Sequence, residues 1–229
     1  DIALESARKA EAQLAEGTDR GPMHVIPFGV KDIVDTAGVL TSCQSRLKEG
    51  NVPAEDATLV AKLKAGGAVM LGKTATIEFA TGGPSDETLF PPARNPWNPE
   101  HVPGGSSSGS GASVSAGLCR MAVGTDTGGS IRGPAALCGT VGIKPTYGRV
   151  SRRGVHPLSF TLDNCGPLAA TVEDAAISLG AMAGFDPLDP ASANEPVPDY
   201  AAALSGAIAG LKVGFVRGWA EGADAEVIA

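Results

Sequence analysis

Apolar residues fall in short bursts along this chain, separated by clusters of Gly, Pro, Ser and Asp. The spacing within each burst predicts its element. Residues 2–16 (IALESARKAEAQLAE) are rich in helix formers, and Gly17 stops them. Residues 25–30 (VIPFGV) and Ile33-Val34 read as strand around Lys31-Asp32, followed by a turn at Thr36-Ala37-Gly38. An amphipathic helix is expected over 56–66, with Asp56 as N-cap and Gly66-Gly67 as the stop. Ala68-Val69-Met70-Leu71 reads as a buried strand, Ala112 to Cys119 as a small-residue helix, and Met121 to Thr125 as a short buried strand. Gly139 to Pro145 is expected to be a strand closed by its proline. Thr171 to Asp174 opens a helix through Met182 with a capping-box-like start. Residues 185–199 read as a Pro/Asp-rich surface loop, and 211–216 as a further strand. No internal repeat is present. Helices alternating with buried strands argue an α/β fold. The Pro-, Gly- and Asn-rich connection at 81–103 is long enough to suggest a functional loop.

Composition narrows the picture. The 229 residues suffice for one substantial core or two small ones. Aromatic residues make up only 4%, so the core must come from Ala, Val, Leu, Ile and Gly, which suits close helix–sheet packing. Net charge is −7, and the only adjacent basic pairs are Arg8-Lys9 and Arg152-Arg153. No nucleic-acid groove is encoded there. Four cysteines show no CxxC pair, and no His sits at metal-ligand spacing, so neither a metal nor another cofactor is expected. No unbroken apolar stretch reaches the roughly 18 residues of a membrane span, and no signal-peptide pattern opens the chain. The expected compartment is the cytoplasm. The chain opens at Asp1 and closes at Ala229 without a terminal cap, and reads as a fragment.

The chemistry concentrates between Gly104 and Pro134, where two Gly-Ser turns bracket the small-residue helix and its strand. The first presents Ser106, Ser107 and Ser108. The second, Thr127-Gly128-Gly129-Ser130, sets consecutive backbone N–H groups beside a hydroxyl. Glycine permits the backbone angles that turn neighbouring amides toward one point, and such a concavity binds negative charge. A serine beside it is the minimal kit for attacking a carbonyl and holding the oxyanion. Flexible linkers or tight bends are the alternative reading of both turns. Two motif matches carry little weight. Gly67 to Thr74 fits a P-loop pattern, but its intervening Ala, Val, Met and Leu belong in a strand. Gly105 to Gly109 fits a nucleophile elbow, but no hydrophobic strand precedes it, and the only later histidine is His156. With three histidines in the chain, a lysine is the better base for such a serine. Lys31, enclosed by Phe28, Gly29, Val30 and Ile33, is either a strand lysine reaching water or that base. Lowering a lysine from about 10.4 to about 7 requires roughly 4–5 kcal/mol of desolvation and polar environment.

Gly29-Val30-Lys31-Asp32, Gly104-Gly105-Ser106-Ser107, the run Gly124 to Arg132, Pro134, Cys138-Gly139 and Lys144-Pro145 together resemble the amidase signature family. The spacings fit too, with 75 residues from Lys31 to Ser106 and 24 from Ser106 to Ser130. The resemblance runs from about residue 3 to 216. It implies a mixed, twisted sheet covered by helices on both faces, in a single domain over 1–229 that lacks its C-terminal half and part of an N-terminal helical region. Ser108 stands where many relatives have Gly. By resemblance, Lys31 is the catalytic lysine, Ser106 the bridging serine on a cis peptide and Ser130 the nucleophile. The backbone N–H groups of Thr127, Gly128, Gly129 and Ser130 would form the oxyanion hole. Asp126 and Arg132 would brace that loop, with Arg132 alternatively orienting substrate.

The implied reaction is hydrolysis of a small-molecule amide through an acyl-serine by a homo-oligomer, a dimer, without nucleic acid or membrane contact. The rival is the A subunit of a tRNA-dependent amidotransferase, which carries the same motifs and passes ammonia to a partner. Substrate identity is expected to lie in loop walls: Phe90 and Trp97 of the 81–103 connection, or Arg152, Arg153 and His156. An arginine facing the pocket would favour an amide bearing a carboxylate; arginines facing solvent would favour a neutral one.

Overall fold

The computed structural model describes residues 2–214 together with Gly218 and Gly222. In chain order the elements are α1 (Ile2–Ala15), β1 (Pro27–Lys31), α2 (Thr58–Ala65), β2 (Val69–Thr74), α3 (Ser108–Ser115), β3 (Met121–Asp126), α4 (Arg132–Cys138), β4 (Val141–Gly142), β5 (Asn164–Ala169) and α5 (Val172–Met182). The sheet is five-stranded and mixed, in the order β2-β1-β3-β5-β4. β1 runs parallel to both β2 and β3, while β5 is antiparallel to β3 and β4.

Alternation along the strands sends side chains to two cores, as the period of two requires. Phe28 and Val30 of β1, Met121 and Val123 of β3, and Cys165 of β5 join Leu59, Leu63, Leu179 and Met182 of α2 and α5. On the opposite face, Ala122 meets Val114 of α3, and Leu168 meets Ile131 and Ala135 at α4. The sheet is therefore covered by helices on both faces, as the resemblance implies. The four cysteines are free and buried.

Several boundaries differ from the sequence reading. Asp56 does not cap α2. Ala57 is the N-cap, and the Asp56 carboxylate instead accepts from the Ala37 N–H at 2.9 Å and pairs with Lys64 at 2.8 Å. α3 starts at Ser108 rather than Ala112, because close packing needs a bare surface there: a Cβ on Gly109 would lie 2.3 Å from the Ala75 nitrogen. The strand expected over 139–145 contracts to β4, since α4 runs to Cys138 and ends on Gly139 at φ 67°. α4 and β5 were not expected from the sequence. Of the strand expected at 211–216, residues 211–214 are irregular and exposed, and 215–216 lie outside the described residues. Gly67 to Thr74 is mostly β2, which removes the P-loop reading. No described helix is long and apolar enough to cross a membrane.

Candidate active site

Lys31 ends β1 and Asp126 ends β3, so the C-terminal edge of two adjacent parallel strands carries the first charged groups of the site. Open α/β sheets place their ligands beyond such strand ends. The Lys31 side chain is completely buried, which excludes the solvent-reaching alternative. Its Nζ lies 2.7 Å from Ser106 Oγ and 2.8 Å from Thr125 Oγ1. Burial brings its pKa down to about 7, against the smaller opposing effects of Cys165, Asp126 and Asp163.

Ser106 is reached through Gly104, whose φ is 81°, and the Gly105–Ser106 peptide bond is cis. The next serine fixes this turn to the sheet. Ser107, fully buried, accepts the Thr125 N–H at 3.2 Å and donates to the Thr125 carbonyl at 3.1 Å. Its own N–H donates to the carbonyl of Ser130 at 3.2 Å. One residue thus clamps the first Gly-Ser turn to the strand end and to the second turn. The hydroxyl that the elbow pattern singled out is engaged in structure.

The second turn is organised around the buried carboxylate of Asp126. It accepts the N–H groups of Gly129 at 2.8 Å and Ile131 at 3.1 Å, and both Nε and Nη2 of Arg132 at 3.0 Å. Burial raises the carboxyl's pKa, but the Arg132 bonds and these amides outweigh it and hold the group below the ordinary range. Arg132 is accordingly a brace, bidentate on Asp126 and half exposed on its outer side. Thr127 donates its hydroxyl to Asp163 Oδ1 at 2.5 Å, and Asp163 Oδ2 accepts the Leu158 and Ser159 N–H groups. That latch joins the 157–163 loop to the turn bearing Ser130.

Ser106 and Ser130 line one cavity of about 280 Å³, walled by Gly104, Gly105, Ile77 and Ala80. Lys31, Ser106 and Ser130 are therefore brought together, and Thr127, Gly128 and Gly129 follow on the same turn. The other specificity candidates are placed differently. Trp97 donates Nε1 to the Cys138 carbonyl at 2.8 Å and packs on Gly139, while Phe90 borders a separate cavity with Lys73 and Asp32. Neither lines the serine cavity. Arg152, Arg153 and His156 line a neighbouring cavity that also includes Thr125 and Thr127. The sequence offers no site role for Thr125 or Asp163, and names Ser107 only within motifs, not as the clamp it is. Thr125 is adjacent to the singled-out Asp126, and Ser107 to Ser106, but which hydroxyl reaches which partner depends on strand register. Among the described residues no group of three His, Cys, Asp or Glu could hold a metal ion.

With this geometry in place, the likenesses to known proteins are specific. A family model described as Amidase matches residues 1–229. The A subunit of glutamyl-tRNA(Gln) amidotransferase from Roseiflexus sp. (strain RS-1) is 54% identical over 92% of this chain and 43% of its own length. The protein of the same name from Carboxydothermus hydrogenoformans is 50% identical over 99% of this chain and 47% of its own. Among solved structures, native peptide amidase from Stenotrophomonas maltophilia superposes with a TM-score of 0.82 at 44% identity. That match covers 88% of this chain and 43% of that one. The chain thus spans under half the length of these curated relatives.

Proposed function

The chain belongs to the amidase family, and from that premise we propose that the protein hydrolyses a carboxylic amide to an acid and ammonia or an amine. Ser130 Oγ attacks the amide carbonyl. Its proton passes to Ser106 Oγ while Ser106 passes its own to neutral Lys31. The N–H groups of Thr127, Gly128 and Ser130 receive the oxyanion, with Gly129 as a shared donor because its N–H already holds Asp126. Collapse of the tetrahedral adduct breaks the C–N bond, and the proton returns through Ser106 to the leaving nitrogen. Water, activated by the same relay, then cleaves the acyl-serine.

The observation that carries this reading is the 2.7 Å contact between a wholly buried lysine and Ser106, on the wall of the cavity that holds Ser130. A lysine that is neutral near pH 7 is what a base for serine requires. The test is hydrolysis of simple amides by the full-length protein and its variants. Ser130→Ala is expected to lower kcat by about 10⁴-fold or more, and a serine-directed phosphonate to label Ser130. Full activity in Ser130→Ala, or labelling at Ser107, would sink the assignment.

A second reading is favoured by the relatives named as the A subunit of glutamyl-tRNA(Gln) amidotransferase. In it, the same chemistry supplies ammonia to a partner protein, and this chain acts within a hetero-complex rather than as a homodimer. Ammonia release only in the presence of that partner would select it.

A further inference from the structure

Beside the serine cavity lies a second one of about 260 Å³, and Ala80 belongs to the walls of both. Thr125, which holds Lys31, and Thr127, on the nucleophile's turn, also face this second space. It therefore adjoins the serine cavity and the turn that bears Ser130. We propose that this cavity, walled by Ile33, Val155, Leu158, Phe160 and Leu188, receives the acyl arm of the substrate, and that the preferred arm is apolar and uncharged. The inference rests on Ser130 being the nucleophile.

The charged groups in the wall decide the class of arm. Arg152 and Arg153 would attract a carboxylate if their charges were free, but both guanidinium groups have partners, although the buried Nε of Arg152 makes no hydrogen bond. Arg152 donates Nη1 to the Phe160 carbonyl at 2.8 Å, lies 3.9 Å from Asp189 and stacks 4.7 Å over the Tyr147 ring. Arg153 is paired with Glu55 at 2.8 Å. Asp163 is engaged by Thr127, Leu158 and Ser159, and Asp189 by the N–H groups of Arg152 and Ala191. His156 sits against the Phe79 ring at 5.2 Å, and burial, with the cation of Lys48, lowers its pKa and keeps it neutral near pH 7. The wall thus carries two arginines and two aspartates, and Arg153 is paired outside it with Glu55. An entering carboxylate would be desolvated beside arginines whose charges already have partners. An apolar arm displaces water from aliphatic walls and leaves every one of these pairs intact.

The experiment compares kcat/KM of the full-length protein for 3-phenylpropionamide, acetamide, succinamate and glutamine, and repeats it in Val155→Phe and Leu158→Trp, which enlarge two residues of the wall. Expected is a preference for 3-phenylpropionamide over succinamate and over glutamine of about tenfold or more. The 3-phenylpropionamide to acetamide ratio is expected to fall about tenfold in whichever variant folds, through KM. Faster turnover of succinamate or glutamine would overturn the proposal while leaving the Ser130 chemistry standing. An unchanged ratio with a lowered Tm in the variants would overturn it by assigning the cavity to packing against the remainder of a longer protein. Absence of turnover on all four amides, together with no phosphonate label on Ser130, would remove the mechanism and this inference with it.

Discussion

The two faces of the sheet are built from opposite materials. Toward α2 and α5 the strands present Phe28, Val30, Met121 and Val123, which interlock with Leu59, Leu63, Leu179 and Met182. Toward α3 and α4 they present Gly29, Ala122, Gly124 and Gly166, and the helices themselves are made largely of Ser, Gly and Ala. The first face supplies apolar burial at about 25 cal/mol per Å². The second gives up much of that area so that backbone can come close. A Cβ on Gly124 would lie 2.6 Å from Leu168 and 3.0 Å from Ser107 Oγ, and one on Gly104 would lie 2.9 Å from Pro134. The proposed serine relay stands on the close-packed face, where such a relay would need turns held to a fraction of an ångström, and backbone contact holds them better than flexible side chains.

The largest expected effect comes from removing the buried lysine at the centre of the site. Lys31 falls from 10.5 to about 7 when the chain folds, so keeping it buried costs about 4–5 kcal/mol at pH 7. Between its folded and unfolded pKa values the unfolded chain binds more protons, so this cost shrinks as pH rises from about 7 toward 10.5. Lys31→Met is expected to lower kcat by about 10⁴-fold or more and to raise stability at pH 7. In denaturant titrations the gain should be of order 4 kcal/mol at pH 7, fall to about 1 kcal/mol by about pH 10 and nearly vanish by about pH 11. The wild-type rate should rise with pH through about 7 and then level. A Lys31→Met variant less stable than wild type at pH 7 would show the lysine to be a structural strut.

Next in size is a cavity on the opposite face. Leu63→Ala removes a fully buried side chain of the α2 core, and is expected to cost about 2–5 kcal/mol. Per folded molecule, kcat should not change, because the serine turns stand on the other side of the sheet. A fall in kcat measured well below the melting temperature would mean that the two faces are mechanically coupled.

How much of this was legible follows the same division. Runs of large apolar residues announce strands, so β1, β2 and β3 are readable from the sequence. The small-residue face is not. Ser108-Gly109-Ser110-Gly111 reads as a turn by propensity, and becomes helix because a bare surface lets it rest on Ala75 and Pro134. β5 hides behind Gly166 and Pro167, and α4 behind Gly133-Pro134, although proline is tolerated in a first helical turn. At the site, Lys31, Ser106 and Ser130 could be named because each sits in a distinctive motif. Thr125 could not, because its hydroxyl meets a lysine 94 residues away only through strand pairing.

Glycine substitution then separates the faces by sign. Gly124→Ala is expected to destabilise by about 1–3 kcal/mol through overpacking, and to lower kcat, because Ser107 must move and it clamps Thr125. Retained Tm and kcat would show that the sheet and α3 can part at no cost.

The smallest effect is the same substitution at Gly180 in α5. A Cβ there would meet only Tyr200 at 3.9 Å, ordinary contact distance, and its backbone is not in the left-handed region. Alanine in a helix interior restricts the unfolded chain and costs the folded one nothing when the space is open. Gly180→Ala is therefore expected to stabilise by about 0.4–1 kcal/mol, a rise of about 1–4 °C in Tm for a chain of this size, with kcat unchanged. Set beside Gly124→Ala, the pair isolates geometry from chemistry, since the same methyl group is introduced in both. If both variants lose stability, α5 is packed as tightly as α3, and the contrast between the faces is one of composition alone.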